Sequence, residues 1–135
     1  MGLESERGKV PSISVVIATY NRASLLPETL DAVLAQRFRD FELIVVDDGS
    51  TDETQQVLKP YGDRVRYFYQ ENSGPSAARN LGVRHARGEW IAIQDSDDLF
   101  APDHLESLFA FAEKNPDCGM VFANGAYLGD RKSVV

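Results

Sequence analysis

Two short apolar runs, Ile13-Ser-Val-Val-Ile-Ala18 and Phe41-Glu-Leu-Ile-Val-Val46, constrain what this chain can fold into more than any other feature. Both are rich in β-branched residues and lack polar alternation, the pattern of strands covered on both faces, as in parallel sheets. Between them, Leu25, Leu26, Leu30, Val33 and Leu34 recur at three- and four-residue intervals. That spacing predicts a helix from just after Asn21-Arg22 to about Gln36.

The alternation continues along the chain. Asp47-Asp-Gly-Ser-Thr-Asp52 is turn and N-cap chemistry opening a second helix, which Pro60 and Gly62 stop. Val65-Arg-Tyr-Phe-Tyr69 reads as a third strand with aromatic outer residues, followed by the turn Glu71-Asn-Ser-Gly74 and a helix from Pro75 to about Ala86. Trp90-Ile-Ala-Ile93 reads as strand four, with Trp90 in the core. A helix from Pro102 to about Lys114 follows, and Val121-Phe-Ala123 is expected as strand five. Repeated βα units cross over right-handed, so the expected fold class is α/β, doubly wound, with a mostly parallel sheet flanked by helices.

Composition narrows the partners. The 135 residues are 43% hydrophobic, enough for one ordinary domain with a sizeable core. With 21 acidic against 14 basic residues the net charge is −7, which repels a polyphosphate backbone, so no nucleic acid is expected. The single cysteine, Cys118, excludes an intrachain disulfide and any Cys-based metal cluster and is expected to be simply packed. A cytosolic setting fits, with a peripheral position at the inner face of a membrane open to a longer protein. The apolar runs are far shorter than the ~18 residues of a membrane helix. His85 and His104 have no second ligand at metal spacing and read as structural.

Residues 1–11 are expected to be a loose tail, 12–126 one α/β domain, and 127–135 the truncated start of a further portion. Truncation leaves sheet edges and apolar faces uncovered, so self-association as a homodimer is expected.

In open α/β sheets, ligands bind outside the carboxyl ends of the strands. There the chain carries Thr19-Tyr-Asn-Arg22, Asp47-Asp48, Asn72-Ser-Gly74 leading to Arg79-Asn80, and Asp95-Ser-Asp-Asp98. Three carboxylates within four residues raise one another's pKa unless a cation neutralises them, and hard oxygen ligands suit magnesium or manganese. Turn formation and helix capping compete for Asp98, as capping does for Asp47 and Asp52. Asp48 is the better ligand candidate. Arg79 lies one turn into a helix whose free N–H groups attract phosphate, although an ordinary surface arginine would look the same.

Four segments in order then carry a resemblance: Val16-Ile-Ala-Thr-Tyr-Asn-Arg22, Glu42-Leu-Ile-Val-Val-Asp-Asp-Gly-Ser-Thr-Asp52, Asn72-Ser-Gly-Pro-Ser-Ala-Ala-Arg-Asn80 and Gly88-Glu-Trp-Ile-Ala-Ile-Gln-Asp-Ser-Asp-Asp98. From about Ser12 to Ala126 the chain resembles the amino-terminal half of inverting family-2 glycosyltransferases of the A-type, or nucleotide-diphospho-sugar transferase, fold.

The resemblance implies that 12–126 is a nucleotide-sugar-binding domain and 127–135 the truncated start of the acceptor portion, with a nucleotide-binding set of Thr19, Tyr20, Arg22, Asp48, Arg79, Asp95 and Ser96. Thr19 and Tyr20 would line the base pocket and Asp48 would accept a hydrogen bond from the base. Asp97, with Asp95, would hold Mn2+ or Mg2+ as the Asp-x-Asp pair, Asp95 lying nearer the ribose or sugar. The implied partners are a nucleotide-diphosphate sugar, UDP- or dTDP-linked, and a saccharide or lipid-linked saccharide acceptor. The base that deprotonates the acceptor is expected beyond Ala126, so these residues are expected to bind donor without turning it over.

Other α/β modules fit less well. A dinucleotide-binding domain needs a Gly-rich turn after strand one, where Thr19-Tyr-Asn-Arg22 has none. A phospho-receiver module would place paired Asp after strand one and Lys after strand five, where this chain has Thr-Tyr-Asn-Arg and Asn124. A non-catalytic nucleotide-binding protein on the transferase fold stays open.

Overall fold

The computed structural model describes the backbone of residues 10–123, 126–128 and 131–134, and side chains over 10–123. The expected tail over 1–11 falls largely outside the described residues, and of the portion over 127–135 the backbone of 127–128 and 131–134 is described.

Among the described residues, six strands and four α-helices follow in the order β1 (Ile13–Thr19), α1 (Leu26–Leu34), β2 (Phe41–Asp47), α2 (Thr54–Leu58), a 3-10 turn (Lys59–Arg64), β3 (Arg66–Tyr69), α3 (Pro75–His85), β4 (Trp90–Asp95), α4 (His104–Lys114), β5 (Ala126–Leu128) and β6 (Arg131–Val134). The first four strands form one parallel sheet in the order β3-β2-β1-β4, and β5 and β6 form a separate antiparallel pair.

Register aligns the strand ends. Thr19 lies beside Asp47 and Asp47 beside Tyr69, while Ala18 lies beside Asp95. The polar residues that follow β1, β2, β3 and β4 therefore emerge on one edge, as the doubly wound reading requires.

Alternation along the strands divides the core in two. Ile13, Val15, Ile17, Leu43 and Val45 face Leu26, Leu30 and Val33 of α1, with Leu58, Tyr61 and Leu105 completing that layer. Val16, Ile44 and Val46 face the other way, against Ala78 of α3. β1 and β2 are covered on both faces, which explains why they show no polar alternation.

The element boundaries moved in four places. Pro60 does not end a helix abruptly, because α2 passes at Leu58 into the 3-10 turn, where Gly62 adopts φ +52°. The third strand begins at Arg66, and the last long helix begins at His104. The chain over 121–123 is not a strand, and Ala126–Leu128 is. The physical reason is that Val121-Phe-Ala123 has no partner ladder. Phe122 is 82% exposed, and Gly119–Ala123 instead line a cavity of about 570 Å3 with β4 and α4.

Trp90, expected in the core, is half-buried and packs against it. No helix among the described residues is long and apolar enough to cross a membrane.

Candidate functional site

Each functional loop is held by side chains of its neighbours. Asn21, the one non-glycine residue with positive φ among those described, at +51°, uses its amide oxygen to accept the N–H of Thr51 at 2.8 Å. Its own N–H donates to Ser50 Oγ at 2.8 Å. Asp52 accepts from Ala23 N and Thr54 N, both at 3.1 Å. The loops after β1 and β2 are thus stitched together.

Asp47 and Asp48 divide the labour. Asp47 is fully buried and accepts from Ser50 N at 2.9 Å and from the Tyr67 hydroxyl at 2.8 Å, a turn-forming role. Burial and that bond to Asp47 push the Tyr67 hydroxyl up to about 12.

Asp48, 4% exposed, reaches the loop after β3. Its Oδ1 accepts from Gln70 Nε2 at 2.7 Å and Ser73 N at 2.8 Å, and its Oδ2 from Gly74 N at 3.0 Å and Asn72 Nδ2 at 3.3 Å. Gly49, with φ +86°, allows the close approach. A Cβ there would lie 2.7 Å from Asn72 N.

The acidic cluster sits where β4 ends. One carboxylate oxygen from each of Asp95, Asp97 and Asp98 lies within 4.8 Å of the others. Arg79 Nη2, from the second turn of α3, is 3.1 Å from Asp95 Oδ1. Asp98 N donates to the Asp95 carbonyl at 3.3 Å, closing the turn. Oxygens bound to one magnesium-sized ion stand about 3 Å apart when adjacent and about 4 Å when opposite, so carboxylates gathered within 4.8 Å of one another would need only a modest side-chain adjustment to close on such an ion.

The structure therefore brings Asp48 together with the Asn72-Ser-Gly74 turn, and Arg79 together with the acidic cluster. Thr19 is 2% exposed, and its Oγ1 has no hydrogen-bond partner among the described residues. Tyr20 and Arg22 lie on the exposed loop after β1, and Ser96 is buried in the acidic turn. Neither histidine joins the site. His85 stacks on Phe68 at 4.1 Å, and His104, held below its ordinary value by burial, packs on Phe100. The Cys118 thiol donates to the Met120 carbonyl.

Three buried polar residues that support the edge escaped the sequence reading. Thr29 donates to the carbonyls of Ser96 and Asp98, and Gln94 Nε2 donates to the Asp98 carbonyl at 2.8 Å. Gln36 donates to the Ala101 carbonyl at 2.6 Å and accepts Leu105 N at 3.0 Å, fastening α1 to the start of α4. Their signal was a polar side chain on an otherwise apolar helix stripe or strand, which is unfavourable unless a partner waits inside.

Comparison with known proteins agrees with this arrangement. Residues 14–133 match the sequence pattern of glycosyl transferase family 2. An uncharacterized glycosyltransferase of Rickettsia felis is 41% identical over 117 residues, which are 85% of this chain and 19% of that protein. Residues 1–349 of S. aureus TarS, solved in complex with UDP-GlcNAc, superpose with a TM-score of 0.72 at 33% identity, over 78% of this chain and 32% of that one. The mannosyltransferase PcManGT of Pyrobaculum calidifontis, solved with GDP-Man and Mn2+, gives 0.67 at 31% identity, over 78% and 33% of the two chains. The chain thus spans between a fifth and a third of the length of these relatives.

Proposed function

This chain belongs to glycosyl transferase family 2, and on that premise we propose that its residues form the donor-binding part of an inverting, metal-dependent glycosyltransferase. The observation that carries the reading is the gathering of Asp95, Asp97 and Asp98 oxygens within 4.8 Å, beside Arg79, on the edge where all four parallel strands end. A carboxylate cluster next to a guanidinium suits a diphosphate that arrives with a divalent cation.

In this reading Asp97, with Asp95, holds Mn2+ or Mg2+, which neutralises charge on the departing diphosphate. Arg79 exchanges its bond to Asp95 for a phosphate oxygen. Thr19, Tyr20 and Arg22 bound the nucleoside on the β1 side, and Ser96 lies against it in the acidic turn. Asp48 accepts an N–H of the base. Because Gln70, Asn72, Ser73 and Gly74 already donate to that carboxylate, the base takes the place of the Gln70 or Asn72 side chain.

A carboxylate acceptor favours uracil or thymine, so the donor is UDP- or dTDP-linked. The complex of TarS with UDP-GlcNAc supports a uridine donor, and that of PcManGT with Mn2+ supports a metal. The acceptor is a saccharide or lipid-linked saccharide. Its deprotonating base is assigned to none of these 135 residues, which by themselves bind donor without transferring sugar.

Calorimetric titration of UDP into the chain, with manganese and then with chelator, tests the reading. Saturable binding that strengthens with manganese is expected, and no binding in either condition would refute it.

A further inference from the structure

Thr29 occupies a position where chemistry and place disagree. It lies in the middle of α1, on the stripe formed by Leu26, Leu30 and Val33, and is fully buried. Valine has nearly the same shape and would leave no hydroxyl to satisfy in the core. A helical threonine ordinarily returns its hydroxyl to the carbonyl four residues back. Here the hydroxyl crosses to another element and is shared between the Ser96 carbonyl at 2.9 Å and the Asp98 carbonyl at 3.0 Å.

Those two carbonyls flank Asp97. The Ser96 carbonyl belongs to the peptide unit that carries the Asp97 nitrogen, and the Asp98 carbonyl to the unit after Asp98. Anchoring both to one oxygen orients the peptide planes on either side of the acidic pair. Gln94, 2% exposed, adds a second donor to the Asp98 carbonyl at 2.8 Å, and Asp98 N returns to the Asp95 carbonyl. A four-residue turn thus has its backbone tied to the core, while the residues Asp95, Asp97 and Asp98 stay partly exposed.

We propose that Thr29, seconded by Gln94, is a positioning residue for the Asp95–Asp98 turn, setting the spacing of its carboxylates for a divalent cation. The inference rests on the reading that this turn meets a metal-bound diphosphate. Three oxygens can bind one ion strongly only if the backbone that carries them does not have to reorganise, and groups that orient metal ligands commonly contribute 10- to 100-fold in affinity. Thr29 touches no substrate and acts through the turn alone.

The test compares wild type, Thr29→Val and Thr29→Ser by calorimetry with UDP, in manganese and in chelator. The expected result is that Thr29→Val loses roughly tenfold of the manganese-dependent gain in UDP affinity and keeps the affinity measured in chelator. Thr29→Ser, which retains the hydroxyl, should return to wild-type behaviour. A general loss of packing would lower both affinities together and would not be rescued by serine.

If wild type shows a manganese-dependent gain and Thr29→Val shows the same gain, the positioning role is overturned while the donor-site reading stands. If wild type shows no gain, the metal reading fails and the inference with it. Should Thr29→Val not fold, Gln94→Met removes the second donor and carries the same comparison, with a smaller loss expected in the same direction and an unchanged gain counting against the role.

Discussion

Arg79 Nη2 lies 3.1 Å from Asp95 Oδ1, joining the helix that follows β3 to the carboxylate that ends β4. Both side chains are more than a third exposed, at 39% and 45%, so the pair contributes at most about 0.5 kcal/mol to stability. Its place between two loops of the site is the more informative fact. Arg79→Ala should leave the melting transition nearly unmoved but weaken UDP binding about tenfold, equivalent to about 1.4 kcal/mol. Uridine, which has no phosphate, should bind both proteins alike. An equal loss for uridine and UDP would place Arg79 at the base instead.

Asp97→Ala addresses the cation directly. Asp97 is partly exposed in a turn whose backbone is tied down by Thr29 and Gln94, so the fold should survive its loss. Most of the manganese-dependent UDP affinity should disappear. Unchanged calorimetric affinity with manganese present would remove Asp97 from the ligand set.

For Asp48, the expectation is base preference. UDP or dTDP should bind better than ADP, because a carboxylate complements the N–H of uracil or thymine and meets only acceptors on much of adenine's edge. Asp48→Ala should abolish that preference. It should also destabilise the protein by about 1–3 kcal/mol, since the hydrogen bonds that the buried Asp48 carboxylate accepts from Gln70, Asn72, Ser73 and Gly74 are lost. Equal affinity of the wild type for all three nucleotides would mean that Asp48 only holds the loop.

The parallel sheet was legible because β1 and β2 are buried on both faces and their composition says so without help from the rest of the chain. Asp48, Arg79 and Asp95–Asp98 were legible as a group because the strand-end rule needs only strand positions. That Asp48 holds the 70–74 loop could not be read, since it depends on a pairing across β2 and β3 that no local pattern announces. Thr29 and Gln36 were hidden for the same reason: their partners lie more than 60 residues along the chain. Val121-Phe-Ala123 misled because a short apolar run implies a strand only when a neighbouring edge receives it.

Acid should loosen the opposite edge of the sheet. Burial pushes the Glu42 carboxyl up, but hydrogen bonds from the Ser14 hydroxyl, the Arg87 backbone N–H and Arg66, together with the Arg66 charge, outweigh burial and hold it below the ordinary glutamate value. A depressed folded pKa adds stability at pH values above the unfolded pKa, near 4.3. That stability is lost as pH falls through the folded value. Glu42→Gln should therefore be less stable than wild type by about 1–3 kcal/mol at pH 7. Denaturant titrations from pH 7 to 3 should show the difference shrinking below about pH 4.3, and a gap that stayed constant would contradict the linkage.

Gly82 connects packing to the site. It lies on the buried face of α3, where an added Cβ would come 2.4 Å from Val16 Cγ1 and 3.3 Å from Val46 Cγ2. Helix propensity alone would make Gly82→Ala stabilising by about 1 kcal/mol. The clash with two fully buried valines wins, because a close-packed core cannot yield without moving the helix or forcing rotamers, at a cost of about 1–3 kcal/mol. Arg79 lies one turn earlier on the same helix, so lifting α3 from the sheet carries its guanidinium away from Asp95. Gly82→Ala should thus lower both the melting temperature and the affinity for UDP, whereas Val83→Ala, at an exposed neighbouring position, should change neither appreciably. A Gly82→Ala protein as stable as wild type would show that the valines can repack, and one that is destabilised yet binds UDP normally would uncouple the seat of α3 from the position of Arg79.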